Sequence, residues 1–236
     1  MISYNSNIAK EGLFVHVDVG NKKSYPGTGS TLYNLAAPLG YGSKCGNGTI
    51  VGAAQYQPEY GGSLYFSGVS GAPQYVNFGA ATNINPIQEH TFEAWIKSKG
   101  LNTGQGTAGI WSYTYGLRLD IGASIGVNHH NKLTSLSYWL YALNFNPVTD
   151  MWFHVAFSSS GFQRRIYING KLNNTDNNRW YGSNWPTSNI ALGLDVNNTN
   201  TNNFYGNIAI GRAYKRVLSD DEVYQNFAAE RGRFQV

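Results

Sequence analysis

Thr91-Phe92-Glu93-Ala94-Trp95-Ile96-Lys97 alternates strictly. Phe92, Ala94 and Ile96 point one way, and Glu93, Trp95 and Lys97 the other, the period-2 pattern of a strand. A Trp on the second face leaves both sides of the strand partly apolar. That is the mark of a strand lying between packed layers rather than one with a wet face. The same period recurs on either side. Leu13, Val15, Val17 and Val19 alternate with Phe14, His16 and Asp18. Short strands are expected at Thr49–Val51, Ser63–Ser67 and Gln74–Phe78. Residues 109–121 read as two strands or one bent one. Residues 135–145 set Leu136, Tyr138 and Leu140 against Trp139, Tyr141, Leu143 and Phe145. Residues 151–158 and 164–169 read as a hairpin closed by Ser159-Ser160-Gly161, and Asn169-Gly170 is a second hairpin signal. Strands at 190–194 and 207–214 follow an Asn-rich stretch, 173–203, read mostly as loop.

The end of the chain breaks this pattern. Leu218-Ser219-Asp220-Asp221-Glu222-Val223 opens a helix of about 219–231. Ser219 caps, Glu222 three residues on completes a capping box, and Leu218 and Val223 flank it as a hydrophobic staple. Asp220 and Asp221 suit the positive end of the helix dipole. Gly232, between Arg231 and Arg233, suits a left-handed stop. Nothing upstream has such punctuation. About a dozen short strands with regular turn signals and one terminal helix give an all-β, two-sheet antiparallel sandwich. The organisation read from the chain is an N-terminal arm, 1–11, and one domain, 12–236.

Composition agrees. The 236 residues are 14% aromatic and only 13% charged, with 17 Tyr and 28 Gly. Such usage belongs to pleated surfaces joined by tight turns. The net charge of +4 is scattered over Lys22-Lys23, Arg164-Arg165 and Arg212–Arg216. It forms no basic stripe interleaved with stacking rings, so no nucleic-acid partner is expected. The single Cys45 excludes an internal disulfide and has no evident catalytic partner. Met1–Asn7 lacks a basic region followed by an apolar run. No segment reaches the ~18 apolar residues of a membrane span. The expectation is synthesis in a cytoplasm, with any exit by lysis.

Several stretches together resemble a known family. They are Gly12-Leu13 through Asp18-Val19-Gly20-Asn21 with Lys23-Ser24-Tyr25-Pro26-Gly27; Gly61-Gly62-Ser63-Leu64-Tyr65-Phe66-Ser67-Gly68; Thr91–Ile96; and Trp152-Phe153-His154-Val155-Ala156. Ile166-Tyr167-Ile168-Asn169-Gly170-Lys171, Phe204–Ala209 and the helix ending Arg231-Gly232-Arg233-Phe234 complete the set. In order, they resemble the concanavalin A-like lectin/glucanase superfamily in its laminin-G-like jelly-roll branch. The Asp-Val-Gly-Asn opening and the Arg-Gly-Arg ending also resemble versions found in tailed-bacteriophage virion proteins. The resemblance implies a jelly roll that binds glycans or proteins, or serves as a surface part of an assembly. The leading expectation is a non-enzymatic virion surface protein, either a capsid decoration or a tail-fibre adhesin. Its partners would be other virion proteins, with host-surface glycans as ligands, and it would be oligomeric or attached to the particle. A free carbohydrate-binding lectin is the alternative and a glycan hydrolase the third reading.

Candidate chemistry is sparse. The superfamily's glycan-cutting enzymes place paired acids at Glu-x-Asp-x-x-Glu spacing, whereas here Glu93 stands alone and reads as a rim or cross-strand pairing residue. Gly104-Gln105-Gly106-Thr107-Ala108-Gly109 matches a dinucleotide fingerprint, but a strand follows where a helix is required. His129 and His130 would face opposite sides of a strand and could not share a metal. His154 reads as a satisfied structural histidine. No cofactor is expected beyond a structural calcium, which the resemblance implies; Asp195 is its first candidate ligand, with Asp18 and Asp120 also at strand ends. Trp180, Tyr181 and Trp185 lie in the Asn-rich stretch, where no core demands them. They are either a sugar-stacking platform with amides beside it, or a loop mini-core or subunit contact.

Overall fold

The computed structural model describes residues 7–36, 45–81, 89–101, 107–113, 117–122, 124–131, 136–160, 162–177, 188–196 and 202–236. Within them the order is β1 (Leu13–Asp18), β2 (Thr31–Leu32), β3 (Gly48–Val51), β4 (Gln55–Gln57), a 3-10 turn (Glu59–Gly61), β5 (Ser63–Ser67), β6 (Tyr75–Ala81), β7 (His90–Ser98), β8 (Ala108–Tyr113), β9 (Leu117–Ile121), β10 (Ile125–Asn131), β11 (Leu136–Tyr141), β12 (Trp152–Ser159), β13 (Arg164–Ile168), β14 (Lys171–Asp176), β15 (Ser188–Leu192), β16 (Tyr205–Tyr214) and α1 (Asp220–Phe234). The first sheet runs β14-β13-β12-β7-β16-β5-β4, with β1 paired to the second half of β16. The second runs β11-β10-β9-β8-β15-β6-β3-β2. The chain crosses between them at β1–β2, β3–β4, β5–β6, β6–β7, β7–β8, β11–β12, β14–β15 and β15–β16, which makes the sandwich a jelly roll.

Alternation decides what lies between the sheets. One cross-strand row of the second sheet reads Ile50, Val76, Leu192, Trp111, Leu119, Val127, Leu140. Facing it, the first sheet sends in Phe92, Ala94 and Ile96, the face expected of β7, with Val155 and Phe157 of β12. Trp111 is fully buried, 5.6 Å from Phe92, and its indole N–H donates to the Glu93 carbonyl across the sandwich. Gly211 is required beneath it, because a Cβ there would lie 2.8 Å from the Trp111 ring. Each such large side chain contributes about 1.5–3 kcal/mol by burial.

The outer face of the first sheet is covered as well. Trp95, Trp152 and Ile210 pack under Phe227 and Phe234 of α1, with Trp95 and Phe234 stacked at 4.2 Å. The capping box forms as expected: Glu222 N–H donates to Ser219 Oγ, and Ser219 N–H to Glu222. Leu218 and Val223 are fully buried in one cluster. The arm joins this layer, since Ala9 N–H donates to Asn226 and Ala9 O accepts from the Tyr214 hydroxyl.

Five local expectations change. A bulge between Leu13 and Val15 breaks the first alternation, so Leu13 joins the helix-side cluster while Phe14 turns inward against Phe92. β10 occupies 125–131, where no strand was read; its outward residues Gly126 and Asn128 hide the pattern. β14 extends to Asp176 inside the stretch read as loop. β11 stops at Tyr141, before Asn144 turns to φ +50°, so Leu143 and Phe145 are not strand residues. The helix runs past Gly232 and ends on Gln235 at φ +60°, because Phe234 must reach Trp95. The Asn169-Gly170 turn holds, at φ +48° and +73°, and Gly170 is needed twice: a Cβ would also sit 2.8 Å from Phe227. No helix among the described residues is long and apolar enough to cross a membrane.

Candidate functional site

Glu93 is the acid that chemistry would need first, and its position decides its role. On β7 it stands opposite Arg212 of β16. Arg212 Nη1 donates to Glu93 Oε1 at 2.8 Å, and both side chains are buried under α1. Asn226 Nδ2 donates to both carboxylate oxygens at 3.1 Å, and His154 Nε2 lies 3.5 Å from Oε2. The other Arg212 terminal nitrogen pairs with Glu230, whose second oxygen accepts from the Trp95 indole at 3.0 Å. Burial alone would raise the Glu93 carboxyl. His154 and the Arg212 guanidinium outweigh it and hold it down at about 2. Glu93 is thus the cross-strand pairing residue expected, in the interior rather than on the rim, with no open face toward a substrate. His154 differs from expectation. Its ring packs against Trp95 and Phe227, and neither nitrogen makes a well-formed hydrogen bond.

The candidate metal ligands lie on different elements. Asp18 accepts from Arg233 Nη1 at 2.7 Å and from Gly20 N–H at 2.9 Å. A guanidinium therefore fills the place a cation would take, and Asp18 clasps the end of α1 to β1. Asp120 lies on β9 opposite Gly126. Asp195 is buried, its Oδ2 accepting an amide N–H from Asn202 at 3.1 Å. No group of three His, Cys, Asp or Glu that could hold a metal ion occurs among the described residues. His129 and His130 are consecutive on β10, as the argument against a shared metal requires. The Gly109 end of the glycine motif enters β8 and not a helix. Trp180, Tyr181 and Trp185 lie outside the described residues.

The opposite face of the second sheet is different. Its cross-strand row reads Thr31, Thr49, Asn77, Ala191, Ser112, Arg118, Asn128, Trp139 across all eight strands, with Ala191, Ser112 and Asn128 covered. This is the polar counterpart of the apolar row one residue away. At the β10–β11 end it meets two rings. Trp139 and Tyr141 lie parallel, 3° apart in plane and 5.4 Å between centroids. They rest over Gly126, where a Cβ would come within 2.9 Å of Tyr141 and 3.3 Å of Trp139. Tyr141 is 49% exposed. Asn128, opposite Trp139, is buried, and its Oδ1 finds no donor. An orphaned acceptor costs about 1–3 kcal/mol until a water or ligand hydroxyl reaches it.

The rings are fixed from the other sheet. Asn174 Nδ2 donates to the Tyr141 carbonyl at 2.7 Å. Asn173 accepts from Leu143 N–H at 2.6 Å and donates to its carbonyl at 3.2 Å, mimicking a strand's pairing with one side chain. The arrangement offers a rigid, half-exposed aromatic face flanked by amides. Such a surface stacks on the apolar face of a ring-shaped ligand and hydrogen-bonds its rim. Sequence reading missed it, although the signal was there: Trp139-x-Tyr141 alternates against buried Leu140.

Comparison with known proteins adds the following. The family model for laminin-G domains of the concanavalin A-like lectin/glucanases superfamily matches residues 70–224. No curated protein matches the sequence. Among solved structures, domain 4 of AbnA, an extracellular arabinanase from Geobacillus stearothermophilus in complex with arabinotriose, superposes with TM-score 0.65 at 18% identity, over 91% of this chain and 97% of that one. The binding domain of botulinum neurotoxin DC, in complex with rat synaptotagmin II, gives 0.70 at 14%, over 93% and 52%. The binding domain of Paraclostridial Mosquitocidal Protein 1 gives 0.66 at 15%, over 92% and 52%. The chain thus spans about half the length of those toxin domains.

Proposed function

Because this chain belongs to the concanavalin A-like lectin/glucanases superfamily, we propose that it is a non-enzymatic binding module that grips carbohydrate on its second sheet through Trp139 and Tyr141. The observation that carries the reading is the parallel ring pair lying over Gly126, with the unpaired acceptor of Asn128 beside it. A pyranose ring stacks its C–H face on the exposed phenol, while amides accept and donate at its hydroxyls. The arabinotriose complex of the arabinanase domain, which covers nearly its whole length with this fold, supports a saccharide as the ligand class. The burial of Glu93 against Arg212 supports a role without bond cleavage.

On a glycan array the parent chain binds, and Trp139→Ala and Tyr141→Ala each weaken binding by about five- to tenfold, since a stacked ring contributes on the order of 1–1.5 kcal/mol. Their melting temperatures stay close to the parent's, because Tyr141 is half exposed. An array with no hits, or variants that bind as the parent does, refutes the platform. Release of reducing ends from any polysaccharide, abolished by Glu93→Gln, would restore the hydrolase reading.

The place of action proposed is a virion surface, capsid or tail, with neighbouring virion proteins as partners. The two stretches that carry that resemblance form one clasp, Asp18 with Arg233. Mass spectrometry of purified particles should find the chain; recovery only as a free protein favours a lectin instead.

A further inference from the structure

Helix α1 covers the outer face of the first sheet only as far as Phe234. Past its last turn Lys97 of β7 stands in a row with Trp152 on one side and Asn207, then Tyr65, on the other. The Lys97 ammonium lies 5.8 Å from the centroid of Tyr60 and 5.7 Å from that of Trp152. The two rings meet edge to face at 6.0 Å. Neighbouring Lys99 has its own carboxylate, Asp150, at 2.6 Å. Lys97 has none among the described residues; its ammonium faces rings instead.

The wall beside it is held under strain. Tyr60 has φ +53° and ψ +33°, left-handed values that a bulky side chain rarely adopts. One guanidinium from the end of α1 holds it there. Arg233 Nε donates to the Tyr60 carbonyl at 2.5 Å, Nη2 to the Gly62 carbonyl at 2.6 Å, and Nη1 to Asp18 at 2.7 Å. The ring so placed is 39% exposed. Backbone strain maintained by a dedicated clamp, with an exposed ring over an uncompensated cation as its product, marks a functional position.

We propose that this face is a second binding site, on the opposite sheet from the Trp139 platform, for a saccharide carrying a carboxylate. Lys97 meets the carboxylate, and the exposed Tyr60 ring stacks on the sugar. The charge pattern selects this ligand over an acidic peptide. The site has one unpaired cation, too few for a run of acids, whereas an acidic sugar brings a single carboxylate on a ring that stacks.

The test titrates the full chain calorimetrically with trigalacturonate and 3′-sialyllactose, against methyl-esterified trigalacturonate and lactose. At least one acidic sugar binds, and its uncharged counterpart binds about tenfold more weakly or not at all. Lys97→Gln, which keeps most of the stem, lowers affinity for the acidic sugar about tenfold and flattens its salt dependence. Tyr60→Gly weakens binding without lowering the melting temperature, because glycine relieves the left-handed strain. Trp139→Ala leaves acidic-sugar affinity within about twofold, which separates this site from the platform. The proposal falls if neither acidic sugar binds, if the uncharged forms bind equally, if Lys97→Gln keeps full affinity, or if hexaglutamate binds as tightly as the sugar.

Discussion

Replacing Glu93 by Gln tests the brace under the helix. The carboxyl is held at about 2 against an ordinary value of 4.5, and it is fully enclosed. That difference corresponds to about 3 kcal/mol of extra stability for the charged form in the folded state. The general cost of breaking a buried ion pair from one side, about 3–5 kcal/mol, gives the same scale. The lower end applies, because Arg212 retains Glu230 and is not left wholly unpaired. For a chain of this length, about 3 kcal/mol corresponds to a melting temperature lower by roughly 6–12 °C. The sign with pH follows from a depressed folded value. The stabilisation is complete above the unfolded value near 4.5 and drains away as pH falls toward 2. Calorimetry of parent and variant from pH 7 to pH 2 should therefore show a full gap at neutral pH that closes between about 4.5 and 2. A variant within about 1 kcal/mol of the parent at pH 7, or a gap unchanged at pH 2, would refute the pairing as the source of stability. Glycan binding by the folded variant should be unaltered, because Glu93 faces the helix and the platform lies on the other sheet.

Two further outcomes follow from single positions. Gly126→Val places a branched side chain where a Cβ alone already meets Tyr141 at 2.9 Å, so the ring pair is lifted and array binding falls about tenfold; unchanged binding would mean that Gly126 does not set the platform. Cys45 is buried, and burial pushes its thiol up to about 11. At pH 8 only about one molecule in a thousand is thiolate, so iodoacetamide should leave the native protein unlabelled over hours and modify it rapidly in urea; rapid native labelling, read by mass spectrometry, would show the thiol to be open.

Most of the architecture was legible because burial on one or both faces writes a period of two. Residues 91–97, 63–67 and 152–158 are strands for the reason their sequence shows: every inward position must be apolar. The capping box was legible because it is local, needing only Ser219 and Glu222 three apart. What escaped reading depended on partners distant in sequence. β10 sends Ile125 and Val127 inward, while Gly126 seats rings from β11. β14 is an edge strand whose Asn173 and Asn174 serve the other sheet's backbone, so no apolar rhythm marks it. Gly232 looked like the stop, yet the helix continues because Phe234 gains more from the Trp95 stack than a left-handed glycine would gain at 232. The aromatic pair at 139 and 141 was visible as one face of a strand, but only the register with Gly126 shows that the rings rest on the sheet over a glycine.

The edges explain why recognition should use the faces. An open strand edge is a template for another chain, and proteins usually block it. Here β1 is closed by side chains: His16 N–H donates to Asn34, Asn34 donates to the Phe14 carbonyl, and Asp18 N–H donates to Ser24. The far corner is closed where Asn173 and Asn174 occupy the carbonyls of Leu143 and Tyr141. Short polar side chains at both places take up hydrogen bonds that an added strand would need. Helix α1 then covers most of one outer face, and its Arg233 fixes the turn that presents Tyr60 at the margin. Among the described residues, two places present aromatic rings on a built support: a glycine floor under Trp139 and Tyr141, and a guanidinium clamp behind Tyr60. Rings held in place lose little freedom when a ligand stacks on them, which lets weak stacking count toward affinity.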